Sequence, residues 1–391
     1  MAQYNTTEIM QVMIDGKYYN DLDVEGFARM MKDPSYCYKF YWLEAIVKLI
    51  SRNFTEATYD DIIIEMIVNA WYPVTEYHIH LSGIFTDRES KDNLERAVMK
   101  LQSLSKLEAK ASSVEIKNAA KQFAKELHKE KMSLTLNVPY KALSGFANKV
   151  GAKISLDSSA KRMMTYYNQL SRDNILLPYT FGEENGLARK IVFSDAWMQM
   201  IKDNTVFLIG WIQREKVKWL QNNNPEVPGL IYKLDRSEEK VRKLAKVHKL
   251  WDGILDLQPV RDVFTEESID TNAYAVDHFI PWSFVMNDEL WNLMPMDPNL
   301  NSVKSNKLPE WDKYFERFAS NQYIMYDAIH QKNGIRDLYE ACYRDNLHSI
   351  WANQELYIKG NSQDQFNNIL DRNMRPVYDS ARRQGYAVWD R

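Results

Sequence analysis

Hydrophobic positions recur at helical spacing through much of the first third of this chain. From Tyr36 to Ser51, YCYKFYWLEAIVKLIS sets apolar side chains in one broad stripe, the period of a helix laid against a core. Tyr59 to Trp71, YDDIIIEMIVNAW, repeats the pattern after a Thr- and Asp-rich start suited to a helix N-terminus. Residues 91–131 are polar and predict one or two further helices. The pattern then changes. LTLNVP, KISLD, NILLPYTFG and RKIVF, within residues 132–195, are short β-like runs broken by Gly, Pro and Asn, and predict a small mixed module suited to target recognition. Residues 196–222 return to helical spacing and end in NNNPEVPG. Residues 310–391 read as helices.

Between the last two helical stretches the period shortens again. Ala273 to Val276 is an apolar run that would deliver Asp277 and His278 at a strand end, with Pro281 interrupting the ladder. Asn287-Asp288 marks a loop, and Trp291 to Met296 is a second strand candidate. Asp297-Pro298 has the form of a helix start, a capping carboxylate followed by proline in the first turn. Asn301 and Lys304 then share a helix face. The expectation is strand, loop, strand, helix within about 35 residues. Spacing alone leaves open how Asp277 and His278 act together, because neighbouring strand residues point to opposite faces. The aromatic residues Phe279, Trp282, Phe284 and Trp291 are expected in the core of so small a unit rather than as stacking platforms.

The residue types in this stretch suit phosphodiester hydrolysis. Such a reaction needs an activated water, and a cation against the phosphate and leaving oxygen. Histidine is the side chain best poised to accept a proton near neutral pH. Asp and Asn offer oxygen ligands, which suit Mg²⁺ or Mn²⁺ rather than zinc.

The run Asp277-His278, Asn292-Leu293, Asn301-x-x-Lys304 resembles the HNH nucleases, the ββα-metal family. The resemblance implies that Asp277 binds the catalytic metal, that His278 is the general base, and that Asn292 steadies the loop orienting it. It further implies that Asn301 is a second metal ligand and that Lys304 matches a lysine that commonly follows. The interval from Asp277 to Asn301, and the order of motifs, resemble the HNH domain of RNA-guided CRISPR nucleases. DHFIPWSF followed by LWNL resembles HNH proteins of restriction and phage-defence loci, as do SYCYKFYWLEAI and the NNNPEVPG region more weakly. One departure stands out. Many HNH domains carry two Cys-x-x-Cys pairs for a structural zinc, whereas this chain has only Cys37 and Cys342, so no structural zinc is expected.

Length and charge set the wider frame. At 391 residues the chain is expected to hold several domains: a helical region over 1–131, a mixed region over 132–255, the HNH domain over 256–325 and a helical extension over 326–391. The fold class expected is α+β, mainly helical. Two cysteines argue for a reducing compartment, and the polar start and lack of long apolar runs for a cytoplasmic location without membrane contact. Net charge is −3, so DNA binding requires segregated charge. Arg236 to Leu250 supplies the best candidate, with Lys240, Arg242, Lys243 and Lys246 against the DNA backbone; the plainer alternative is a solvated helix face. Lys-rich residues 99–131 and Arg372, Arg375, Arg382 and Arg383 are further basic stretches. His78 and His80 stand at i, i+2 and would share a strand face, but no third ligand lies near in sequence. No nucleotide-binding loop is present, so no ATP requirement is expected. The partners expected are double-stranded DNA, with a homodimer or a partner defence protein possible. The alternative to an enzyme is a non-catalytic or partner-gated regulatory protein that keeps the HNH fold.

Overall fold

The computed structural model describes residues 14–31, 36–82, 92–147, 154–155, 158–173, 176–234 and 242–390. It is mainly helical, with small sheets, and divides into two compact units. One is Met1–Asn224 with Lys233–Asp235; the other is Pro225–Tyr232 with Arg236–Arg391.

In the first unit the two apolar stripes form the helices expected. Helix α1 spans Tyr38–Ser51 and helix α2 spans Tyr59–Thr75. Thr58 starts α2 through a capping box: its hydroxyl takes the Asp61 N–H, and Asp61 returns a bond to the Thr58 backbone. Residues 91–131 break into more pieces than expected, Asn93–Ser105, Ser113–Gln122 and the start of His128–Thr135, with Lys106 left-handed at φ 58° closing the first.

LTLNVP is not a strand. It forms the end of His128–Thr135 and the start of Val138–Ala142, because Pro139 sits in the first turn of a helix, where its missing N–H costs nothing. KISLD includes residues outside the described ones. NILLPYTFG and RKIVF do yield strands, β2 (Tyr179–Phe181) and β3 (Lys190–Phe193). They join β1 (Glu56–Thr58) in an antiparallel sheet of order β1-β3-β2. The stretch 196–222 divides at Asn204 into Asp195–Asp203 and Thr205–Asn223. His78 and His80 lie in irregular backbone after α2 rather than on a strand; His78 has φ 52°, and His80 Nδ1 lies 3.0 Å from Glu95 Oε1.

The second unit is built on a contiguous apolar core. Helix α3 (Ala245–Leu255) packs on α6 (Asn333–Asn346), and α5 (Trp311–Gln331) packs on α6 and on α7 (Gln363–Gln384). Against these lies an antiparallel hairpin of β4 (Ala275–His278) and β5 (Leu293–Met296), in which Asp277 stands opposite Met294 and His278 opposite Leu293. Helix α4 (Pro298–Lys304) follows at once. Asp297 caps it as the sequence predicts, accepting from the N–H groups of Asn299 and Leu300. Phe279, Phe284 and Trp291 are buried in this core, while Trp282 is half-buried. Phe279 packs edge-on to Trp311 and close to Phe318 of α5. A short parallel pair, β6 (Leu308–Pro309) with β7 (Val388–Trp389), fastens the end of the chain beside α5. Cys37 and Cys342 are both buried free thiols. Among the described residues no helix is long and apolar enough to cross a membrane.

Candidate nuclease site

Strand β4 presents Asp277 and His278 at the same spot. Asp277 Oδ1 lies 3.8 Å from His278 Nδ1, although the two are neighbours in the chain. The strand ends at His278, where the ladder gives way to the Phe279–Asn292 connection. Helix α4 closes the other side: Lys304 Nζ donates to Asp277 Oδ2 at 2.8 Å. Burial disfavours the Asp277 carboxylate, but Lys304 and His278 outweigh it and hold this acid well below the usual carboxylate range.

The His278 ring has no solvent exposure, and both nitrogens are engaged. The Asn287 carbonyl, an acceptor only, lies 3.0 Å from Nε2, and the Arg242 guanidinium, a donor only, lies 2.8 Å from Nδ1. Together they require the tautomer with hydrogen on Nε2 and a lone pair on Nδ1. Asp288 Oδ1 sits 3.1 Å from Nε2. Burial again works against its charge, but His278, the Lys243 N–H and Arg242 lower its pKa.

The loop between the strands is held by Asn292. This fully buried side chain donates to the Ile280 carbonyl and accepts from the Ile280 N–H, both at 2.8 Å. The Asn292 backbone carbonyl accepts from the Phe279 N–H as well. The helices behind supply more ties. Asn346 Nδ2 donates to the carbonyls of Lys243 and Asp288, and Gln322 Nε2 donates to the Leu293 carbonyl. The buried Glu289 carboxylate accepts from the backbone of His348 and Ser349 and from the Trp291 indole.

Of the residues singled out in the sequence, Asp277, His278 and Lys304 come together, with Asn292 bracing the loop beside them. Asn301 shares the α4 face of Lys304 and is half-buried. Arg242 lies within the site itself. Lys243 and Lys246 instead pair with Asp345, at 2.8 and 2.7 Å, and lower its pKa to about 2. Lys240 falls outside the described residues. Sequence reasoning missed Asp288, legible only as half of a loop signal, and the bracing by Glu289, Gln322 and Asn346, which carried no local signal.

The donor set fits a hard divalent cation. Asp277 Oδ1 faces Arg242 Nη2 at 3.7 Å and His278 Nδ1 at 3.8 Å, too far for direct hydrogen bonds. Among the described residues no cluster of three or more His, Cys, Asp or Glu forms a metal cage. One carboxylate is the sparse protein ligation Mg²⁺ accepts, since that ion keeps several waters and takes substrate phosphates.

Residues 262–310 match the family model of the HNH endonucleases. That segment spans β4, β5 and α4, so the chain carries an HNH endonuclease domain at these residues. No curated protein and no solved structure matches the chain.

Proposed function

We propose that this chain is a divalent-metal-dependent endonuclease that hydrolyses DNA phosphodiesters. His278 is the general base, and Asp277 and Asn301 hold the metal. The observation that carries the reading is the meeting of Asp277 and His278 at 3.8 Å, within a segment matching the HNH endonuclease model.

The chain's own groups divide the work. His278 Nδ1 accepts a proton from the attacking water, while Nε2–H stays anchored to the Asn287 carbonyl. The Asp288 carboxylate, 3.1 Å from Nε2, offsets the positive charge that the ring then gains. Lys304 keeps Asp277 ionised and aimed, and Asn292 fixes the loop that carries Asn287 and Asp288. A bound divalent ion supplies charge neutralisation at the phosphate and at the leaving oxygen. The products are 5′-phosphate and 3′-hydroxyl ends. One such site cuts one strand, so a double-strand break needs a dimer or two visits. A role in restriction or anti-phage defence rests on sequence likeness.

A second reading is favoured by one observation: His278 has no exposure and both its ring nitrogens are taken. That describes a site at rest, as in an effector that cuts only after a partner or signal opens it.

Incubation of the purified chain with supercoiled plasmid and Mg²⁺ tests the proposal. Wild type should yield nicked product, and EDTA should abolish it. His278→Ala should lower the rate by about two to four decades, the range for a lost acid-base group, with DNA affinity unchanged. Wild-type cleavage by His278→Ala would remove this residue from the mechanism. An inactive wild type that still binds DNA would favour the gated reading.

A further inference from the structure

Arg242 faces three groups of the site at once. Its Nη2 is 2.8 Å from His278 Nδ1, the nitrogen bearing the lone pair, and 3.7 Å from Asp277 Oδ1. Its Nε is 3.8 Å from Asp288 Oδ1, and its guanidinium lies 5.6 Å from the centre of the Trp282 ring. One cation therefore faces both the proposed metal ligand and the proposed base. The placement is built rather than incidental. The next residue, Lys243, is pinned on both sides of its peptide: its N–H donates to Asp288 Oδ2 at 2.6 Å, and its carbonyl accepts from Asn346 Nδ2 at 2.9 Å. Backbone fixed at residue 243 delivers the Arg242 side chain into the site.

We propose that Arg242 is a placeholder cation. With no metal bound, its guanidinium neutralises the Asp277–Asp288 pair and caps the lone pair of His278. A divalent ion reaches Asp277 Oδ1 only when Arg242 withdraws, and the anion best suited to receive the withdrawn guanidinium is a substrate phosphate, which matches its planar fork of donors. Metal loading and substrate binding are then coupled, each favouring the other by the same factor. The residue is a positioning element for the reaction and shields the base between turnovers. This inference rests on the nuclease reading above.

The test is direct binding of Mn²⁺ to the full chain without nucleic acid, followed by electron paramagnetic resonance. Arg242→Gln removes the competing charge and should bind Mn²⁺ roughly tenfold more tightly than wild type, since two cations a few ångströms apart repel strongly in a half-buried site. Arg242→Lys keeps charge but loses the fork that spans three groups, and should show a smaller gain. Asp277→Ala should lose the site. Thermal melts verify that each variant is folded, and the Lys variant carries the comparison if the Gln variant is not. Unchanged or weaker Mn²⁺ binding in both Arg242 variants, with Asp277→Ala still losing the site, overturns the placeholder and leaves the nuclease reading standing. Mn²⁺ binding by Asp277→Ala equal to wild type would instead defeat the metal-site assignment on which both rest.

Discussion

Lys304 reaches from the last turn of α4 to Asp277 on β4, its ammonium 2.8 Å from Oδ2 and its side chain 1% exposed. A buried lysine is costly unless paired, and here the pair also sets the charge of the residue proposed to hold the metal.

Lys304→Met should therefore do two things. At pH 7 it leaves Asp277 without its main partner and should destabilise the second unit by about 3 kcal/mol. The pH dependence follows from the depressed pKa of Asp277. The stability contributed by a depressed carboxylate is present above its unfolded value, near 4, and is lost as pH falls from there toward the lower folded value. The gap between wild type and Lys304→Met should thus shrink once pH drops below about 4. Urea unfolding at pH 7 and pH 3.5 would measure it; a gap equal at both values would refute the linkage.

Asn292→Ala should cost about 3 kcal/mol, because it strands the buried N–H and carbonyl of Ile280. Asn292→Asp should be worse, since a carboxylate would face that carbonyl. In both variants cleavage should fall with DNA affinity kept. Amide exchange at Ile280 reports the loop directly, and protection unchanged from wild type would mean that Asn292 is not its brace.

Among the neighbouring asparagines, Asn301→Ala should abolish cleavage and raise the metal concentration required. Asn299→Ala and Asn306→Ala should keep most activity. Asn301 shares a face with Lys304, whereas Asn299 is exposed and lies about 200° around the helix from Asn301. Metal titrations of the three variants side by side decide it, and an inactive Asn299→Ala would move the ligand one face over.

Asp345 occupies two of the lysines expected to touch DNA. Asp345→Asn should release Lys243 and Lys246, tighten DNA binding, and steepen its salt dependence by about one to two contacts. Reversing Lys240, Arg242, Lys243 and Lys246 to Glu should do the opposite. If the salt slope of Asp345→Asn matched wild type, this surface would be a solvated helix face.

Local signals carried most of the nuclease hairpin. The capping Asp297, the proline after it and the Asn301–Lys304 step are all short-range, so α4 was readable before any fold was known. The β-like run LTLNVP misled because alternation over a few residues is weak, and Pro139 serves equally as a helix starter. The meeting of Asp277 with His278 was not legible, since strand alternation argues against it. Nor was the contact of Arg242 with His278, made across 36 residues of chain. Such contacts depend on tertiary packing, which no local period encodes.

The braces behind the hairpin have a consequence for inheritance. The hairpin and its loop lean on Gln322, Asn346 and the backbone of His348 and Ser349, all beyond the matched segment 262–310. The hairpin is therefore no transferable cassette. Recombination that moved it without residues 322–349 would carry Asp277 and His278 and leave their alignment behind. Only exchanges that take this stretch too would transmit the intact site.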